Sequence, residues 1–154
     1  MRVLSLLFVA CVAAGCVRTT RNPATGKVDV DVESPTKKGE DWKATLTGVG
    51  EYTAVNGSST ALVANGKTEV SIRVGGHDPS GPHPWHVHEG KCGAGGAIVG
   101  DPGAYTPLTF GNDRTAQSSA KLDVRLDESK DYSINVHRST SDMATIIACG
   151  NYKD

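Results

Sequence analysis

Five histidines lie between positions 77 and 137, and three of them have a spacing that suits metal binding. His86 and His88 flank Val87, so a β-strand there would place both imidazoles on one face and the apolar Val87 on the other. His137 ends an alternating segment, 132–137, and falls on its polar face. We therefore expect three imidazoles on the outer face of a β-domain, converging where their two strands are neighbours.

Imidazole nitrogen binds copper, zinc, iron and nickel, so the residue type alone does not select the metal. A pair on one strand supplies two ligands at little ordering cost, and a third ligand from a distant strand couples metal binding to folding. The alternative is three unrelated surface histidines, because His-x-His alone is a weak motif. His77 and His83 lie among glycines and prolines and are interpreted as solvated loop residues, with His83 as a fourth ligand being the alternative.

The elements that must position these histidines are strands. Apolar and polar residues alternate in four segments after Trp42, a pattern typical of strands with one buried face; these segments are 43–47, 69–74, 119–126 and 132–137. Asn56-Gly57 and Asn65-Gly66 predict tight hairpin turns, which need positive φ. The sequence therefore predicts an all-β fold, an antiparallel sandwich or barrel of about seven or eight short strands.

The first residues predict the compartment. Arg2 precedes an uncharged apolar run, 3–14, which is shorter than the ~20 residues of a spanning helix and fits a signal peptide. The run ends in Ala13-Ala14-Gly15-Cys16, which resembles the lipobox of bacterial lipoproteins, a family in which the cysteine after the cleavage site carries the lipid. We expect a signal peptide at 1–15 and lipidation of Cys16, with an ordinary signal peptide cut nearby as the alternative.

The next segment, 16–41, is polar and charged and predicts a tether between the membrane and a β-domain at 42–154. Within it, residues 28–32 alternate like a strand. This organisation predicts a secreted protein anchored to a membrane of the cell envelope through its lipid, in the periplasm or at the outer membrane. The net charge of −1 offers no basis for nucleic-acid binding.

Four cysteines occur in the chain. Cys11 would leave with the signal peptide and Cys16 would be acylated, so Cys92 and Cys149 remain as an even pair in a compartment that permits disulfides. A bridge between them would close a long loop, and the chain-entropy argument gives such a loop roughly 4 kcal/mol of stabilisation.

Three motifs resemble the copper/zinc superoxide dismutases of bacteria. His86-Val87-His88-Glu89-Gly90-Lys91-Cys92 resembles the segment with two copper ligands and the first cysteine of the family disulfide. Asn135-Val136-His137 resembles the strand with the later copper-ligand histidine, and Ala148-Cys149-Gly150 resembles the ending with the second cysteine. The resemblance covers about 42–152 and implies a Greek-key β-barrel, copper on His86, His88 and His137, and a Cys92–Cys149 disulfide.

The chain also departs from that family. No histidine lies between His88 and His137, where the family has its bridging histidine and zinc ligands, and this argues against zinc. Ile146 stands where the catalytic arginine is expected, so Arg138 or Lys91 would have to attract the superoxide anion.

The sequence therefore supports three functions. The first is a copper-dependent superoxide dismutase or a degenerate relative, with superoxide as substrate. The second is a non-enzymatic lipoprotein that binds, buffers or delivers copper. The third is a structural envelope module, because the glycines at 90–98 and the later Asn-Val-His also resemble the extracellular CHRD domains.

Overall fold

The computed structural model describes residues 8–12, 15–21, 28–33, 40–77 and 81–153, with side chains from Asp41 onwards. The chain divides into two compact units, Met1–Lys38 and Gly39–Asp154. The first unit contains an antiparallel sheet in the order β1-β2-β3, formed by Phe8–Val12, Gly15–Arg21 and Val28–Glu33. The last of these strands includes the alternating segment 28–32. The signal peptide, the lipid on Cys16 and the tether remain predictions.

The second unit is a single seven-stranded sheet in which all neighbouring strands are antiparallel. Its strands are β4 (Glu40–Gly48), β5 (Asn56–Ala64), β6 (Lys67–Gly75), β7 (Trp85–Glu89), β8 (Thr115–Leu122), β9 (Tyr132–Ser139) and β10 (Asp142–Lys153). The order is β7-β9-β10-β4-β5-β6-β8, and the sheet curls into a half-barrel. The predicted all-β antiparallel fold is confirmed.

The concave side of the sheet holds the hydrophobic core, and the alternation in the sequence explains why. In β6 the side chains of Thr68, Val70, Ile72 and Val74 are buried, and the residues between them are exposed. A period of two places alternate side chains on opposite faces of a strand, so one face is apolar and packs inward.

No helix long and apolar enough to cross a membrane occurs among the described residues.

Of the two predicted hairpin turns, one is confirmed and one is wrong. Asn65 and Gly66, with φ of 52° and 76°, form the two-residue turn between β5 and β6. Asn56 and Gly57 instead begin β5, paired with Thr47 and Leu46. A Cβ at Gly57 would lie 2.3 Å from the Arg73 carbonyl oxygen, so this glycine serves a close approach of backbones rather than a turn.

An irregular segment, 90–114, lies between the two edge strands, β7 and β8. Isolated bridges pair Leu108 with His83 and Ile98 with His88, so this segment runs beside β7. The carbonyl of Thr106 accepts two hydrogen bonds, each at 2.7 Å. One comes from Nε1 of Trp85, the first residue of β7, and the other from the Ser118 hydroxyl on β8. The segment thereby links both edges of the half-barrel and lies along the edge of β7 that does not pair with β9.

The disulfide implied by the resemblance is present. Cys92 and Cys149 are bonded with their Cα atoms 6.0 Å apart, which joins the segment after β7 to β10. Beside the bridge, the Cys92 N–H donates to Asn151 Oδ1 at 2.7 Å. The bond fastens one end of the irregular segment to the sheet.

Candidate metal centre

Strands β7 and β9 bring the three predicted ligands together. They are neighbours in the sheet, with His86 opposite Asn135 and the His137 N–H donating to the Pro84 carbonyl. His137 is therefore diagonal to His86 on the same face, and one ligand atom from each of His86, His88 and His137 lies within 4.8 Å of the others. This group could hold a metal ion.

Two of the imidazoles are oriented by backbone carbonyls. His88 Nδ1 lies 2.9 Å from the Gly96 oxygen, and His137 Nδ1 lies 2.6 Å from the Met143 oxygen. A carbonyl only accepts hydrogen bonds, so each Nδ1 carries the proton and each Nε2 keeps its lone pair. Metal-binding histidines usually have this arrangement.

The nitrogen atoms of the three imidazoles lie close together. His88 Nε2 is buried without a hydrogen-bond partner, which is costly unless a ligand occupies the site. His86 presents its Nδ1 3.4 Å from His137 Nε2. Two imidazole nitrogens bound to one ion at about 2.0 Å, with about 110–120° between the bonds, also lie about 3.4 Å apart. The donor set thus fits a metal ion through one Nδ1 and two Nε2 atoms.

The three imidazoles lie on the side of β7 and β9 opposite the core, as expected, but that face is covered rather than open. His86 and His137 are each only 6% exposed and His88 is partly buried, because the irregular segment covers their face of the sheet. The ring of Tyr105 packs edge-on against His86, with 5.1 Å between centroids. The site is therefore enclosed, and an ion in it would lose most of its contact with water.

The enclosure keeps the imidazoles of His86 and His137 neutral. Burial lowers the pKa of His86 to about 4, and the nearby His137 and His88 act in the same direction. Burial also lowers the pKa of His137, although the hydrogen bond to Met143 opposes this. At neutral pH both rings are unprotonated, which is the form that binds metal.

His83 is not a solvated loop residue, and it does not join the metal group either. Its side chain is 2% exposed and packs on Phe110 and His77, with ring centroids 5.2 and 4.8 Å away. Its Nδ1 lies 3.2 Å from the His137 carbonyl oxygen and donates to it. Position 83 has the parity of the core residues Trp85 and Val87, so its ring lies on the other side of the strand from the ligands.

The two cations considered for attracting superoxide are paired with carboxylates. Arg138 lies 3.2 Å from Asp142, and Lys91 lies 3.7 Å from Asp131. Ile146 is half-buried and directly opposite His137 in the β9–β10 register. Ile146 therefore lies beside the site, at the position where the resemblance implies an arginine, and its side chain is apolar.

Sequence reasoning missed the residues that orient the ligands. Gly96 and Met143 act through backbone carbonyls, for which no side-chain type is a signal. A Cβ at Gly96 would lie 1.8 Å from the Glu89 carbonyl oxygen, so only glycine lets this backbone approach β7. The glycines around 93–96 were the one available sign of such an approach.

Comparison with known proteins gives no family assignment. No protein-family model matches this chain, and no curated protein matches it.

Proposed function

We propose that this protein is a copper-binding lipoprotein of the bacterial cell envelope that holds one copper ion on His86, His88 and His137. The observation that carries the proposal is the buried, unpartnered His88 Nε2, which belongs to the same compact group as the nitrogens of the other two histidines. A buried polar atom without a partner is rare in proteins, and a ligand at this point would remove its cost.

Two arguments favour copper over other metals. Divalent first-row ions bind nitrogen sites with affinities that rise to a maximum at copper. The motifs around His86 and His137 also resemble those of the copper/zinc superoxide dismutases, and the chain lacks the histidines that would hold zinc in that family.

The envelope location is supported by the Cys16 motif and by the disulfide. Disulfides persist in oxidising compartments and are rare in the cytosol, so the Cys92–Cys149 bond agrees with secretion. Radiolabelled palmitate incorporated into the wild type but not into Cys16→Ser would support the lipid anchor, whereas equal labelling of both would contradict it.

The binding test uses the purified protein and its single-histidine variants. We expect one equivalent of copper, with tight binding lost in His86→Ala and His137→Ala. His77→Ala is the matched control, because His77 is half-buried but lies outside the group. Copper binding that is unchanged in the His86 and His137 variants would rule out this site.

Superoxide dismutation is the second candidate, and the three-imidazole donor set favours it. Copper supplies one-electron chemistry when bound. The chain itself would have to attract the anion, yet Arg138 and Lys91 are engaged with Asp142 and Asp131. Such partly neutralised cations weaken electrostatic capture. We therefore expect the protein to bind copper tightly and to consume superoxide slowly.

Superoxide consumption by copper-loaded protein, compared with His86→Ala and with free copper removed, tests this candidate. A rate that is lost in the variant and falls as salt is added would establish an enzyme. A rate no higher than that of the metal-free protein would leave copper binding as the function.

A further inference from the structure

The metal group consists of neutral ligands. Within the described residues, the group contains three imidazoles and no carboxylate or thiolate. Imidazole binds as the neutral base, so these ligands add no negative charge to the ion. The full positive charge of the metal would therefore remain in the enclosed site.

No further histidine is placed to extend the group. The chain has five histidines, and the two outside the group are His77 and His83. His83 is packed against Phe110 and donates to the His137 carbonyl from the core side of the sheet. His77 is stacked on Tyr52, with 6.0 Å between ring centroids. The site is thus limited to three imidazole ligands.

The acidic residues closest in sequence to the three ligands form ion pairs elsewhere. Glu89 follows His88 but pairs with Lys130 at 2.8 Å, with its side chain 48% exposed. Asp142 pairs with Arg138 at 3.2 Å and also accepts from the Thr145 N–H. These carboxylates are partly neutralised, so they compensate little of the metal's charge.

An enclosed site without a negative ligand discriminates between oxidation states of the same metal. Burying charge away from water costs free energy that rises steeply with the charge, so a dipositive ion is penalised more than a monopositive one. Cu(II) also prefers tetragonal coordination with four or more ligands. Three converging nitrogens instead suit the trigonal coordination that Cu(I) accepts.

We propose that the site formed by His86, His88 and His137 binds copper selectively as the cuprous ion. The inference rests on the proposed copper-binding function and names the form of copper that is carried. A protein with this preference would take Cu(I) from a reducing donor or bind copper after its reduction, and it would hold the ion away from water.

The test measures both affinities on the full-length protein without oxygen. Cu(I) is supplied as its acetonitrile complex, because thiol reductants would attack the Cys92–Cys149 disulfide. Competition with chromophoric chelators specific for each oxidation state gives the two dissociation constants. We expect Cu(I) to bind about tenfold or more tightly than Cu(II) at neutral pH, a difference of about 1.4 kcal/mol or more.

The proposed cause of the selectivity is the absence of negative charge at the metal group, and one isosteric substitution would introduce such a charge. Asn135 is 6% exposed and opposite His86, on the face of β9 that carries His137. Asn135→Asp adds a negative charge at almost unchanged volume, so we expect it to increase Cu(II) affinity relative to Cu(I) by about tenfold. Asn112→Asp, at an exposed position, makes the same chemical change as a control and should leave the ratio unaltered.

The outcomes separate the inference from the function on which it rests. Histidine-dependent binding that is tighter for Cu(II) than for Cu(I) in the wild type would overturn the inference and leave the copper site intact. Failure to bind either ion tightly would overturn the proposed function and the inference with it. If Asn135→Asp disrupts folding, the wild-type ratio of the two constants still decides the question.

Discussion

The metal group (His86, His88 and His137) and a second group of two packed histidines (His77 and His83) differ in what their imidazoles can do. In the metal group, His88 and His137 donate through Nδ1 to carbonyls and leave Nε2 facing a common point. His83 donates through Nδ1 in the same way, but its ring packs among Phe110 and His77 on the core side. His83 has the same tautomer as His88 and His137, so the face of the strand, and not the tautomer, separates it from these two ligands.

The largest expected effect on metal affinity comes from removing a ligand, and it distinguishes the metal group from the second group. His88→Ala removes one of three ligands, so we expect metal affinity to fall by more than about 100-fold, beyond the 10–100-fold typical of outer-shell partners. His77→Ala removes an imidazole from the second group and should change affinity little. Chelator competition measures both, and equal losses in the two variants would contradict the division into two groups.

A smaller effect is expected from the backbone that orients His88. Gly96→Ala puts a Cβ 1.8 Å from the Glu89 carbonyl oxygen, so the segment must shift and the carbonyl that accepts from His88 Nδ1 moves with it. We expect metal affinity to fall by about 10–100-fold, the range for lost outer-shell hydrogen bonds.

Gly81→Ala is the matched control for that substitution. Gly81 has no atom within 4 Å of an added Cβ and lies outside the left-handed φ region, so it tolerates alanine. Comparable losses of affinity in both glycine variants would show that the Gly96 contact does not position the ligand.

The difference between the groups was only partly predictable. Alternation indicated strands in the regions of β4, β6, β8 and β9. A strand assumed at the His-x-His motif then placed His86, His88 and His137 on one face, because side-chain direction in a strand follows from parity alone. The burial of that face was missed, since it depends on the segment 90–114, which has no period. The parity argument applied equally to His83, but glycines and prolines nearby led to its interpretation as a loop residue.

The turns show the same limit. Asn65-Gly66 and Asn56-Gly57 are identical dipeptides, and only the first is a turn. A local motif reports which φ values are available, whereas strand register decides whether they are used. Carbonyl partners such as Gly96 and Met143 cannot be predicted from residue type at all.

The pH dependence of the metal-free protein tests the enclosure of the metal group. His86 has a folded-state pKa of about 4 against 6.5 for an ordinary histidine, so below pH 6.5 the unfolded chain binds more protons. Stability should therefore be fully present above pH 6.5 and be lost as pH falls towards 4, by about 3 kcal/mol.

Urea unfolding of the apoprotein at several pH values measures this loss, and His86→Gln is its control. The variant has no titrating group at that position, so its stability should fall less over the same range. Parallel pH profiles for the two proteins would mean that His86 is not shielded from water as the structure indicates.

The smallest effect on metal binding is expected from the second group. His83→Leu keeps a buried side chain but removes the donor to the His137 carbonyl, so the free energy of unfolding should fall by about 1 kcal/mol. The contact reaches only the backbone of His137, whose ring is held separately by Met143, so metal affinity should change less than about tenfold. Parallel urea unfolding and chelator competition measure the two quantities. A large loss of affinity with unchanged stability would make His83 part of the metal centre, and the two groups would then be one.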